Sequence, residues 1–329
     1  MDGRVNAPLL VANDLVKAFP APRRLRDLAT GRRPMVRAVN GVSLAVAPGR
    51  ALGIVGESGC GKTTTARLLL RLEEPTSGDI LFDGASVTAL QGKALLPFRA
   101  RVQLVFQNPF DALNPRFTIR RTLAEPLRNF GVPAADHADR IEEAMQRVRL
   151  TPSAAYLDRH PHELSGGQLQ RVVLARALVT HPAAIIADEP VSMLDVSVRA
   201  GVLNLLRRAR DELSLAAIYI SHDLALIRYV CEEVAVMYLG RVVESGPTAE
   251  IIAAPAHPYT RALVAAVPVP RVDQDRGALP LIGALPDQLN QPSGCVFRDR
   301  CPVAFARCAE EVPLLRDIGA GRMAACHLA

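Results

Sequence analysis

The stretch "RALGIVGESGCGKTTTARLLLR", Arg50–Arg71, decides the fold. It opens as a short apolar run ending in glycine, which reads as a buried strand feeding a loop. Lys62 to Arg71 then reads as a helix. Between them Gly56, Glu57, Ser58, Gly59, Cys60, Gly61, Lys62 and Thr63 complete the pattern Gly-x-x-x-x-Gly-Lys-Thr, with Thr64 directly behind. Such a loop lets backbone N–H groups point inward at phosphates, and the helix start adds a partial positive charge. Lys62 is suited to neutralise the β- and γ-phosphates, and Thr63 to hold Mg²⁺. A chance glycine loop would lack the Lys-Thr and the flanking strand and helix. Cys60 is a small filler in a variable slot.

Further along, "RVQLVFQ" (Arg101–Gln107), "AAIIADEP" and "LAAIYISHD" read as buried strands. Residues 136–150 carry helical spacing, and "EVAVMYLGRVVESG" reads as a hairpin around Gly240. Strands alternating with helices imply an α/β fold with a mostly parallel sheet covered on both faces. Asp188 ends one strand at the C-terminal rim, where ligands bind in such sheets, and is the second candidate ligand for magnesium. Glu189 follows and is expected to point the other way, as successive residues of a strand do. It is the candidate general base. Purely structural strand-end acids are the competing reading. Gln107 and His222 also close buried strands, but spacing alone leaves a lone histidine equally open to a structural role.

A second glycine pair needs its own explanation. In "HELSGGQLQRVVLARAL" (His162–Leu178), Ser165 can cap a helix running from about Gln168 to Leu178. Gly166 and Gly167 let the backbone approach an anion, with Gln168 beside them. No Lys-Thr follows, and no acid-ended strand belongs to it. The simplest solution is service to a nucleotide held by another subunit. Two chains facing head to tail would then trap a pair of ATP molecules, each between one P-loop and the other chain's LSGGQ. An ordinary Ser-Gly helix start is the alternative for the triplet taken alone.

Composition bounds the rest. The chain has 329 residues, 49% hydrophobic, with 4% aromatics and no tryptophan, so a large core must be aliphatic. No run of roughly 18 apolar residues appears, and the start lacks a basic segment followed by an apolar one, so a cytosolic protein is expected. Lys+Arg number 39 against 33 Asp+Glu. Much of the excess is Arg23, Arg24, Arg26, Arg32, Arg33 and Arg37. That segment is open to three readings: a nucleic-acid patch, attraction to an anionic leaflet, or a solvated loop. After Ala254 prolines recur, from Pro255 to Pro292, and no long helix fits. Cys295, Cys301, Cys308 and Cys326 crowd this end. In a reducing compartment such a group suggests metal before disulfide. Its gaps are wider than zinc-ribbon pairs, so zinc and an iron–sulfur cluster both stay open.

Taken in order, these motifs resemble the ATP-binding-cassette ATPases over nearly the whole chain. The resemblance implies hydrolysis of ATP with Mg²⁺. It implies that Gln107 touches the metal and relays state to a membrane partner, and that His222 contacts the γ-phosphate. Phe19, in "LVKAFP", matches the aromatic that stacks on adenine. Asp195, in "SMLD", matches the aspartate that crosses the dimer. Met193 stands where alanine is more usual, so a packing change without loss of activity is expected.

"VFQNPFDALNPRFTI", "MYLGRVVESG" and "HPYTRALVAAVP" narrow the resemblance to the ATPases of dipeptide, oligopeptide and nickel importers. The arginine-rich insert resembles the second of the two ATPases such importers pair. This implies a heterodimer with a related cassette chain, two membrane permeases, and indirectly an extracytoplasmic binding protein, at the cytoplasmic face of the inner membrane. The segment Asn108–Ile119 should lie near the permeases. Residues 1–254 are expected to form the nucleotide-binding domain, with a helical part at about 108–178, and 255–329 a tail domain. "GCVFRDRC" resembles the importer tail that carries a [4Fe–4S] cluster, with Zn²⁺ as the alternative. Nothing in the sequence sets that cluster near the nucleotide. A soluble cassette acting on nucleic acid would carry two cassettes or a long coiled coil, so no nucleic-acid partner is expected. A P-loop kinase has no use for LSGGQ.

Overall fold

The run Ala51–Val55 is a strand buried at every residue, as apolar sequence without alternation requires. The computed structural model that shows this describes residues 7–21, 34–267 and 291–329. The arginines at 23–33 and the prolines at 268–286 lie outside the described residues. The chain divides into two compact units. One comprises residues 1–10, 46–51 and 81–220, the other 11–45, 52–80 and 221–329.

In the first unit Val102–Val105, Ala184–Asp188 and Ala216–Ser221 run parallel, with Ala184 paired to both Val102 and Ala216. Parallel neighbours need long connections, and helices supply them. Gly166–Leu178 leads into the middle strand and Val196–Leu213 leads out of it. Helices Ile119–Asn129 and His137–Arg147 pack against each other and against Gly166–Leu178. Their apolar faces, Ile119, Leu123 and Leu127 on one and Ile141, Ala144 and Met145 on the other, are buried. This is the helical stretch that the spacing of 136–150 predicts.

In the second unit Leu52–Val55 pairs parallel with Glu233–Val236. That strand turns at Leu239 and Gly240 into Arg241–Pro247, an antiparallel hairpin as predicted. Met323–Ala324 adds to the hairpin's free edge, and Arg316–Asp317 adds to that. The chain's last residues therefore extend the same sheet that feeds the P-loop.

The tail is fixed to the hairpin by polar and aromatic contacts. Glu244, with no exposure, accepts N–H bonds from Ala256 at 2.8 Å and His257 at 2.9 Å. His257 Nδ1 then accepts the Tyr259 N–H at 3.0 Å, capping the helix Pro258–Ala265, with Pro258 at the first position. Burial holds the His257 imidazole down at about 3. The rings of Tyr238, Tyr259 and Phe297 pack edge-on or tilted, with centroids 4.7–5.5 Å apart. Among the described residues no helix is long and apolar enough to cross a membrane.

Candidate nucleotide site

The strand Ala51–Val55 delivers Gly56 in the second unit, and Gly61 caps the helix Lys62–Leu69 there. Gly61 has φ +106°, and a Cβ there would stand 2.2 Å from the Ala38 carbonyl oxygen, so only glycine fits. The loop rests on the hairpin, where Gly240 N donates to the Cys60 carbonyl at 2.9 Å. Lys62 is buried and its Nζ donates to the carbonyls of Gly56 at 2.7 Å and Glu57 at 2.9 Å. Ser58, Gly59 and Thr63 are exposed, and Thr64 is half-buried. Burial raises the Cys60 thiol, opposed by Lys62, as a packed filler would be.

Phe19 is half-buried near the end of Leu10–Pro20, with Lys17 Nζ 4.9 Å from its ring centre. His222 is exposed just past Ala216–Ser221. It lines a cavity of about 240 Å³ with Val55, Leu224 and Leu263. The next residue, Asp223, caps the helix Leu224–Val230 through the N–H groups of Ala225 and Leu226.

In the first unit Asp188 is the last residue of its strand and is buried. Glu189 does not continue the alternation. Its φ is +46°, so the backbone leaves the strand there, and the two-residue period no longer sets its direction. That conformation costs about 1–3 kcal/mol and is held by its surroundings. Glu189 N donates to the Ile220 carbonyl at 2.9 Å, and Ser192 Oγ donates to the Glu189 carbonyl at 3.1 Å. Gln107 Nε2 donates to Glu189 Oε2 at 3.3 Å. Gln170, unremarked in the sequence, is fully buried and donates to the Pro190 carbonyl at 2.7 Å. It ties the helix after LSGGQ to the turn after the acids.

Ser165 caps the helix Gly166–Leu178, which starts two residues earlier than spacing suggests. The cap is reciprocal: Gln168 N donates to Ser165 Oγ at 3.3 Å and Ser165 N to Gln168 Oε1 at 3.0 Å. The two glycines differ. A Cβ on Gly167 would stand 2.7 Å from Val198 Cγ1, so packing accounts for it. A Cβ on Gly166 would meet only Leu194 Cδ2 at 3.9 Å, an ordinary contact. Ser165, Gly166 and Asp195 are exposed. Met193 is 64% exposed, so the expected packing change is not seen within this chain.

All four tail cysteines are free. Burial pushes the Cys295 thiol up to about 11, with Cys308, Cys326 and Cys301 each adding to the rise. Their soft sulfurs suit a cluster or zinc. Yet among the described residues no group of three or more His, Cys, Asp or Glu side chains is arranged to hold a metal ion. The geometry therefore gives the metal expectation no support. The tail also reaches the P-loop. Arg300, directly before Cys301, donates to Glu57 through Nη1 at 2.8 Å and Nη2 at 3.0 Å, and Glu57 N donates to the Tyr259 hydroxyl at 2.8 Å.

A phosphate loop on one unit, with strand-end acids and a capped Ser-Gly-Gly helix on the other, defines the ATP-binding-cassette class. Residues 39–192 match the family described as ABC transporter, and 243–308 that described as oligopeptide/dipeptide transporter, C-terminal region. The chain is 48% identical to "Probable peptide ABC transporter ATP-binding protein y4tS" of Sinorhizobium fredii, over 90% of this chain and 83% of that one. It is 44% identical to "Oligopeptide transport ATP-binding protein AppF" of Bacillus subtilis, over 97% of each. Its fold is similar to a dimeric post-hydrolysis structure of the cassette MJ0796 bound to ADP and Pi, with TM-score 0.63 and 25% identity over 73% of this chain and 98% of that one. The chain belongs to the ATP-binding subunits of the peptide-importing ABC transporters, which hydrolyse ATP and work with membrane permeases.

Proposed function

We propose that the chain energises uptake of di- and oligopeptides by hydrolysing ATP in a site it shares with a companion cassette. The observation carrying the shared site is Gly166, a glycine that neither backbone strain nor packing inside the chain requires. A reason outside the chain remains, and an approaching nucleotide supplies one. Residues 1–254 form the cassette, with its helical part at about 108–178, and 255–329 form the tail.

Each candidate residue takes a role consistent with its chemistry. Phe19 stacks on adenine. Residues 56–64 cradle the phosphates, with Lys62 as the cation. Mg²⁺ would be held by Thr63, Asp188 and Gln107. A hydroxyl, a carboxylate and an amide oxygen are the hard donors it takes, and Gln107 spends its Nε2 on Glu189, which leaves the oxygen. When bound, the ion neutralises charge on the β- and γ-phosphates. Glu189 accepts a proton from the attacking water, and His222 contacts the γ-phosphate edge. Ser165, Gly166, Gly167 and Gln168 serve the companion's nucleotide, and Asp195 crosses to it.

The companion is a related cassette chain in a heterodimer, seated peripherally on two permeases at the cytoplasmic face of the membrane. An extracytoplasmic binding protein feeds them. Exposed Phe110 supports Asn108–Ile119 as the permease contact. A [4Fe–4S] cluster on the four tail thiols, or Zn²⁺, rests on the sequence resemblance, and no step is derived through it. The test is reconstitution in vesicles with companion cassette, permeases and binding protein. Peptide should raise ATP turnover, and nickel should not; stimulation by nickel alone, or by nucleic acid, would overturn the peptide reading.

A further inference from the structure

We infer that Tyr259 and Arg300 are positioning residues of the phosphate loop, which hold Glu57 from behind and thereby set the affinity for ATP. This rests on reading residues 56–63 as the phosphate cradle. Glu57 is gripped at both its backbone and its side chain. Its N–H donates to the Tyr259 hydroxyl, and its carboxylate receives both terminal nitrogens of Arg300. These partners come 202 and 243 residues later in the chain. They cannot easily look elsewhere. Tyr259 has no exposure, and its ring packs against both Tyr238 and Phe297. The Arg300 side chain is 7% exposed against 22% for Glu57, and its Nη1 also stands 3.5 Å from the Tyr238 hydroxyl.

Two consequences follow for an anion arriving at the cradle. A glycine-rich loop loses much conformational freedom when it closes on phosphates. Anchoring Glu57 beforehand removes part of that cost from binding. Charge is the second consequence. An unpaired carboxylate in the loop would repel the triphosphate, and the bidentate guanidinium cancels it. Tyr259 serves the first effect and Arg300 serves both.

The test measures ATP affinity by displacement of a fluorescent ATP analogue from the full-length chain, with the melting temperature read alongside. Arg300→Met should weaken ATP binding roughly tenfold, about 1.4 kcal/mol. Tyr259→Phe, which keeps the ring, should weaken it about threefold. Arg300→Lys should keep more affinity than Arg300→Met. Adding Glu57→Gln to Arg300→Met should recover most of the loss, because the uncompensated charge is gone; a merely structural ion pair would show no such recovery. Unchanged affinity in Arg300→Met and Tyr259→Phe, or a lower melting temperature alone, overturns the inference. Where Arg300→Met does not fold, Arg300→Lys and Tyr259→Phe decide it in the same way. Lys62→Ala separates the two claims. If it too leaves affinity unchanged, the cradle reading has failed; if it alone abolishes binding, only the role of the tail has.

Discussion

Gln107 and Glu189 meet at 3.3 Å, each two residues past the register pair Val105 and Ala187 that joins their parallel strands. A one-residue slip between these strands would separate them. The amide donor on the carboxylate orients the acid without neutralising it, which suits a base. Glu189→Gln should keep ATP binding and lower turnover by roughly 10²–10⁴. Phosphate release and nucleotide binding, measured on the assembled transporter, check this. Near wild-type turnover would remove Glu189 from the role of base.

The two glycines of the LSGGQ turn should separate by phenotype. In Gly167→Ala the new methyl collides with Val198. The strain, about 1–3 kcal/mol, outweighs the helix-propensity gain of alanine and should lower the melting temperature. Gly166→Ala meets no such clash, so its melting temperature should hold or rise slightly while ATP turnover of the assembled dimer falls. Full turnover in Gly166→Ala would argue that nothing from outside the chain approaches that position.

Local features were legible in the sequence because contiguous residues set them. The strand and loop from Ala51, the helix from Lys62 (ending at Leu69, two residues short of the reading), the Ser165 cap and the hairpin at Gly240 all appear. Features set at a distance were not legible. Gly167 is explained by Val198, on the following helix. The direction of Glu189 escaped the alternation rule because its backbone turns left-handed, which no neighbouring residue announces. The grip of Arg300 and Tyr259 on Glu57 spans most of the chain, and one arginine among several in a cysteine-bearing tail signals nothing about phosphate.

The metal proposal for the tail has a direct chemical check. Purified without oxygen, the chain should carry iron and acid-labile sulfide in equal amounts and a broad visible absorbance, lost on substitution of Cys295 or Cys308 by serine. Stoichiometric zinc in a colourless sample would replace the cluster with the alternative. Neither metal would leave four thiols, with Cys295 unreactive because burial keeps it protonated.

Acid should loosen the tail through His257. The folded protein keeps this imidazole neutral down to about 3, whereas the unfolded chain takes up the proton near 6.5. Between those values the unfolded state binds more protons, so stability falls as pH falls through the window. The cause is local: a protonated Nδ1 cannot accept the Tyr259 N–H, and the ring is enclosed beside Phe297 with Arg261 adding repulsion. His257→Asn keeps a capping side chain and removes the titration. Melting temperatures compared from about pH 7 to about pH 5, above the range where carboxylates dominate, should drop in the wild type and stay flatter in the variant. Parallel loss in both would mean that another group governs the acid limb.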